Sequence, residues 1–194
     1  MAAVRLRADA ERNRVALLAA AREVFSEQGL AASLDEIARR AGVGNATLYR
    51  RFPTRQELIA AVFADRKAAQ VEMAERALRE VDPWAGFVGY VTALGELQAT
   101  NRGLGELLIS VNFDGDERIA QLRATAQRRA GEVIQRAQRA GRLRSDFELA
   151  DLISLMMANA GVIRHSAEPD SWRRHLTLVI EGLATRTGSH GQSA

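Results

Sequence analysis

Residues 33–52 read SLDEIARRAGVGNATLYRRF, and the apolar positions Ile37, Ala38, Ala41, Val43, Leu48 and Phe52 fit two short helices joined by a glycine corner. Ser33-Leu-Asp-Glu36 has the form of a capping box, in which the serine oxygen accepts an amide proton of the first turn and the glutamate reaches back. The helix it opens runs from Leu34 to about Ala41, Gly42-Val-Gly44 turns the chain, and Asn45 caps a second helix through Phe52. A helix that ends so sharply wants a positive φ, which glycine adopts without steric cost. Pro53 stops the second helix, because its ring excludes the preceding residue from helical geometry. Thr54-x-x-Glu57 is another capping box and starts a long helix reaching the region of Glu80.

Turning the second helix by about 100° per residue puts Leu48 and Phe52 on its buried side. Ala46 and Arg50 then fall opposite them, Thr47 and Tyr49 on the flanks, and Asn45 and Arg51 nearer the edge of the core. In a DNA major groove this directs Ala46 and Arg50 at base edges, where a guanidinium can bond guanine bidentately, and Thr47 and Tyr49 at phosphates. Arg55 stands in the first turn of the next helix, so its charge and the helix N-terminus are expected to hold one phosphate together.

The charge distribution agrees with a polyanionic partner. Residues 1–60 carry ten arginines against seven acids, whereas the remainder carries 17 basic against 17 acidic residues, so the whole net charge of +3 lies in the first third. Arg39, Arg40, Arg50, Arg51 and Arg55 occupy a span free of acids. A solvated helix face is the bland reading of the same arginines.

Most of the remaining sequence is helical in period, with no sustained alternation that would mark strands. A first helix is expected from about Asn13 to Gln28, with Leu17, Leu18, Ala21, Val24 and Phe25 on one face and Gly29 as its stop. Asp82-Pro83 reads as a cap and first helical residue, opening a helix to about Asn101; a short apolar helix follows to about Phe113. A polar helix from Asp114 to about Ala140 ends at Gly141, with its arginines, Arg136 among them, expected on a solvated face beside Glu117 and Glu132. Ser145-x-x-Glu148 then forms a third capping box before an apolar helix from Phe147 to about Ile163, and a last helix spans about Ser171 to Thr185.

Composition excludes several function classes. Hydrophobic residues at 47% and charged residues at 26% are those of an ordinary globular chain. No apolar run approaches the roughly 18 residues that span a bilayer, and MAAVRLRADAERNR is neither signal peptide nor anchor, so a cytoplasmic location is the default expectation. With no cysteine and only His165, His175 and His190, neither a thiolate site nor a catalytic metal is expected, and no cofactor is called for.

The stretch LLAAAREVFSEQGLAASLDEIARRAGVGNATLYRRFPTRQELIAAV, residues 17–62, resembles the DNA-binding domain of the TetR family of bacterial transcriptional regulators. The matching positions are the helix-one alanines, Phe25, Gly29, Ser33, Ile37-Ala38, Ala41-Gly42-Val43, Thr47-Leu48-Tyr49, Phe52 and Leu58. Gly44 and Ala46 stand where the family commonly has Ser and Gly, and Arg55 where Lys is usual. The resemblance implies an all-α protein of about nine helices: an N-terminal arm (1–12), a helix-turn-helix domain (13–60), a ligand-binding and dimerisation domain (61–187) and a tail (188–194). It implies double-stranded DNA as partner, a palindromic operator read by a homodimer, contacted through Ser33, Gly44, Asn45, Ala46, Thr47, Tyr49, Arg50, Arg51 and Arg55. Repression relieved by a small hydrophobic or amphipathic effector is the expected mode of action.

Beyond about Arg66 the likeness lies in length and helix number. Candidates to line an effector pocket are Trp84, Phe87, Tyr90, Leu94, Leu108, Val111, Phe113, Met156 and Asn159, each of which also suits plain core packing. Candidates for the dimer interface are Leu149, Ile153, Met156, Ala160, Trp172, Leu176, Val179, Ile180 and Leu183 on the last two helices. The competing readings are a helical enzyme or scavenger of a hydrophobic small molecule and a helical adaptor. Against the enzyme stands the lack of paired carboxylates or a Ser-His-Asp arrangement at motif spacing.

Overall fold

The computed structural model describes residues 2–100, 104, 111, 113 and 116–185. Among these residues the chain forms eight helices: α1 (Ala2–Gln28), α2 (Leu34–Arg40), α3 (Asn45–Arg51), α4 (Arg55–Arg79), α5 (Pro83–Thr100), α6 (Glu117–Arg139), α7 (Leu149–His165) and α8 (Ser171–Leu183). The short helix expected before Phe113 falls mainly outside the described residues, as does Leu108. The only pairing of extended backbone seen among them is an isolated bridge between Leu143 and Ala184. No helix among them is long and apolar enough to cross a membrane.

The chain divides into two compact units, residues 1–68 with 98–123 and residues 69–97 with 124–194. In the first, α1 contributes Leu17, Leu18, Ala21, Val24 and Phe25 to a core completed by Leu34, Ile37 and Ala38 of α2, Leu48 of α3, Phe52, and Leu58, Ile59, Val62 and Phe63 of α4. Leu104 and Ile119 belong to this same core, and Val111 and Phe113 pack against it. The α1 carbonyl of Phe25 accepts the Gly29 amide at 3.0 Å, and Gly29 leaves the helix at φ 81°. Gly42 turns between α2 and α3 at φ 68°, the left-handed geometry expected of that corner. Helix α1 starts eleven residues earlier than its amphipathic pattern indicates. Residues 2–12 contain no glycine or proline and are rich in strong helix formers, so intrinsic propensity extends the helix where no apolar face marks it.

In the second unit, Asp82 caps α5 through the Trp84 amide at 2.9 Å, as the Asp-Pro pair predicts. Helix α7 begins differently from expectation. Its N-cap is Glu148, whose amide donates to Asp151 Oδ2 at 2.8 Å in a Glu-x-x-Asp box, so the helix starts at Leu149, two residues beyond the predicted Phe147. Arg136 also departs from the solvated face foreseen for it: its guanidinium donates to the carbonyls of Ala77, at 3.1 Å, and Glu80, satisfying groups that the end of α4 leaves open. Phe87 is fully buried, stacked on Trp84 at 5.6 Å and edge-on to Phe147 at 5.8 Å.

Gly86 marks the tightest helix approach in this unit, since a Cβ there would stand 2.5 Å from the Ala77 carbonyl oxygen. Alanine improves helix propensity by up to about 1 kcal/mol. Overpacking against a backbone atom costs about 1–3 kcal/mol, so Gly86→Ala is expected to destabilise the protein on balance, measured as a lower urea midpoint with unchanged slope.

Candidate nucleic-acid interface

Ser33 stands at the N-cap of α2 in extended conformation, and its Oγ accepts the Asp35 amide at 3.2 Å. The reciprocal half of the predicted box is absent. Glu36 turns forward, accepting from Arg39 Nε at 2.8 Å and Arg39 Nη2 at 2.7 Å, because a charged fork outcompetes a backbone amide for the carboxylate. The cap of α3 also differs from the sequence reading: Gly44 occupies the N-cap with no side-chain bond, and Asn45 is the first helical residue. The Asn45 amide donates instead to Asp35 Oδ1 at 2.9 Å, tying the start of α3 to the start of α2.

With its entry fixed in this way, α3 buries the expected side, although Asn45 and Arg51, expected nearer the edge of the core, face solvent. Leu48 is completely buried and Phe52 nearly so, Thr47 is half-buried, and Asn45, Ala46, Tyr49, Arg50 and Arg51 are exposed. Tyr49 keeps 47% of its surface accessible. Thr54 caps α4 by accepting the Glu57 amide at 3.1 Å, which aligns the helix that follows.

The five arginines of this region separate into two kinds. Arg39 is held by Glu36; Arg40 pairs with Glu27 at 2.7 Å, Glu36 at 3.3 Å and Glu23 at 3.9 Å, joining α2 to α1. Arg55 donates to the carbonyls of Leu30, at 3.1 Å, and Ala32, so its guanidinium closes the loop between α1 and α2. This departs from the phosphate clamp read from sequence, where the helix N-terminus was the nearest partner in view. Arg50 and Arg51 alone of the five are exposed and, among the described residues, have no acidic partner. The acids that would neutralise a basic surface are therefore committed to Arg39 and Arg40, leaving the free positive charge on α3.

The candidate effector residues are distributed over both units. Val111 and Phe113 pack on the core of the first, where Phe113 lies 4.8 Å from Phe63. Trp84, Phe87, Tyr90, Leu94, Met156 and Asn159 belong to the second. Burial raises the Tyr90 hydroxyl to about 12, keeping it protonated. Asn159 is fully buried, with its Oδ1 3.4 Å from His175 Nδ1. Of the candidate dimer residues, Trp172, Leu176 and Ile180 are buried within the chain itself; the first two close over Gly95, where a Cβ would meet each at 2.6 Å. Leu149, Met156, Ala160, Val179 and Leu183 are half-buried. Ile153 remains 46% exposed, accompanied by Met157 at 63% and Leu178 at 56%, two residues whose exposure the sequence pattern did not single out.

Comparison with known proteins accounts for both halves of the chain. Residues 17–62 match the bacterial regulatory proteins of the tetR family, and residues 82–185 match the C-terminal domain of SbtR-like transcriptional regulators. A TetR transcription regulatory protein from Mycobacterium vanbaalenii is 33% identical, covering 93% of this chain and 99% of its own, with a TM-score of 0.71. The chain belongs to the TetR family. A TetR transcriptional regulator from Streptomyces coelicolor is 34% identical over 88% of this chain and 98% of its own, with a TM-score of 0.68. No curated protein matches the sequence. As a TetR-family transcriptional regulator the protein binds DNA, and the helix-turn-helix of such a regulator is here α2 and α3.

Hydrogen bonds from Arg40 and Arg39 draw Glu27 and Glu36 below the usual glutamate value of 4.5. Because the folded values lie below the unfolded ones, the contribution of these pairs is present above that value and disappears as pH falls through the folded values. Arg40→Ala should therefore lower the unfolding temperature at neutral pH and have a smaller effect in acid, where the glutamates of the parent protein are also protonated. Thermal unfolding of both proteins at the two pH values measures the difference.

Proposed function

We propose that the protein is a homodimeric, sequence-specific repressor that reads a palindromic operator with α3 and is released when a small hydrophobic or amphipathic effector binds the part of the chain beyond residue 61. The observation that carries the DNA-reading role is the free charge of Arg50 and Arg51 beside exposed Ala46 and Tyr49, on a helix whose opposite face is buried by Leu48 and Phe52. Arg50 contacts a guanine edge, Ala46 allows close approach of the helix, and Ser33, Gly44, Asn45, Thr47, Tyr49 and Arg51 border the phosphates. Arg55 acts indirectly, by holding the loop ahead of α2.

The dimer surface of this reading is built on Ile153 and Met157 of α7 and Leu178 of α8, three large apolar residues left exposed by the chain's own core. A two-fold interface there presents two copies of α3 to half-sites related by the same symmetry. Helix α4 is continuous from Arg55 to Arg79 and contributes to both compact units, which makes it the element through which an effector alters operator binding. The work of such a regulator is done in the cytoplasm.

The test is fluorescence anisotropy with DNA fragments from upstream of the protein's own gene and its neighbours, beside a scrambled duplex, at two salt concentrations. Saturable binding to one fragment, salt-sensitive yet well above the control, is expected; equal weak binding to all fragments overturns the reading. On the bound fragment Arg50→Ala should weaken affinity by about 1–3 kcal/mol, roughly 5- to 150-fold, and relax the preference at one base pair. Ile153→Glu combined with Met157→Glu should yield a folded monomer in sedimentation, with operator affinity lost alongside.

A further inference from the structure

A second group of cations lies in the first unit, away from the recognition helix in sequence and built on α4 and α6. Phe63, Arg66 and Lys67 occupy positions three and four apart on α4 and so share a face. Arg123 of α6 sets its guanidinium 4.8 Å from the Phe63 ring centre and 5.8 Å from that of Phe113, while Lys67 Nζ stands 5.6 Å from the Phe63 ring. Two cations thus face the aromatic pair, and Arg66 shares their neighbourhood through Lys67, on whose charge both Arg66 and Arg123 act.

Arg66 is the member that packing alone does not explain. Its Nη1 is buried without a hydrogen-bond partner, and desolvation holds the guanidinium below its ordinary value. The neighbouring acid on α4, Asp65, is taken by Arg22 of α1. Among the described residues neither Arg66 nor Arg123 has a carboxylate partner. Desolvation and then Arg66 and Arg123 push Lys67 down to about 8, the response of an amine in a positive, poorly hydrated site. A purely structural role is better served by leucine or methionine at position 66, which pack without a desolvated charge. Ring faces offset part of that cost for Arg123 and Lys67, whereas a guanidinium with an open donor calls for an oxyanion.

We propose that Arg66, together with Arg123 on the other side of the cluster around Lys67, binds the carboxylate of an organic monoanion whose apolar body lies against the Phe63–Phe113 pair. The fork of a guanidinium matches a carboxylate bidentately, and the aromatic pair favours a carbon skeleton over a bare inorganic ion. Phe113 packs against the core that also holds Leu48 of α3, so the bound group sits within the unit that carries the recognition helix. An effect on transcription rests on the ligand-responsive reading above; binding of the anion does not, and it is measured without DNA.

Calorimetry and thermal unfolding of the full chain with octanoate and benzoate, against octanamide, benzamide and inorganic phosphate, decide the matter. Both carboxylates should bind at millimolar concentration and raise the unfolding temperature, with the neutral amides and phosphate at least about tenfold weaker. Arg66→Gln should bind carboxylates at least about tenfold more weakly while unfolding at no lower temperature than the parent, because it removes an unpaired charge. Arg123→Gln, at an exposed position, should weaken binding several-fold with the fold intact, and Arg66→Lys should restore part of the affinity. Equal binding of amides and carboxylates, tighter binding of phosphate, full binding by Arg66→Gln, or no carboxylate binding at all overturns the site. Carboxylate binding that leaves operator affinity unchanged upholds the site and removes its regulatory consequence.

Discussion

The burial of Leu48 and Phe52 is the interaction on which the proposed DNA-reading surface depends. Helix α3 has seven residues, well short of the roughly 12–15 at which an isolated helix becomes even marginally stable in water. It exists because Leu48 is completely enclosed by the first unit's core and Phe52 closes the same core one turn later. That anchorage also fixes rotation about the helix axis. With these two residues inward, Ala46 and Arg50 have only solvent to face, so one packing event determines both the presence and the aim of the recognition surface.

Polar contacts then set the position of the helix more finely than apolar packing does. The bond from Asn45 to Asp35 links the first turns of α3 and α2, and Arg55 fixes the loop ahead of α2 through two carbonyls. Arg40 binds α2 to α1 through Glu27 and Glu23 while sharing Glu36 with Arg39. Exposed ion pairs of this kind add little stability individually. Their larger effect is on the charge pattern: acids on α1 and α2 neutralise the arginines that steady the scaffold, and the unpaired guanidinium groups remain on α3.

The sequence made the apolar half of this arrangement legible because Leu48, Phe52, Ile37 and Ala38 have one favourable destination, and Gly42 one favourable conformation. Polar partners were less legible for a physical reason. Glu36 could accept from its own N-cap or from arginines three and four residues on, and only the folded geometry decides for the latter. Asn45 and Arg55 had similarly competing partners, one being the carboxylate of Asp35 and the other carbonyls of a loop more than twenty residues away. On α8, Trp172, Leu176 and Ile180 follow the helical period correctly, yet periodicity identifies an apolar face without saying whether the same chain or another covers it. The exposed row of Ile153 and Met157 is what packing leaves over, so it becomes visible only when the intrachain contacts are known.

The first core places a further constraint on how the regulator is organised. Local patterning ends the helix-turn-helix near residue 60, but Val62, Phe63, Leu104 and Ile119 are buried in the same cluster as Leu48. A seven-residue helix whose enclosure includes side chains some sixty residues away is sensitive to what happens there. Loss of a buried aliphatic side chain from such a core typically costs about 2–5 kcal/mol, a large share of a domain's net stability. A change in the packing of Leu104 or Ile119 therefore reaches the support of α3 through shared apolar contacts within one unit. The turn between α2 and α3 is held by local features, Gly42 at φ 68° and the bond of Asn45 to Asp35, whereas the seating of Leu104 and Ile119 on this core rests on contacts distant in sequence.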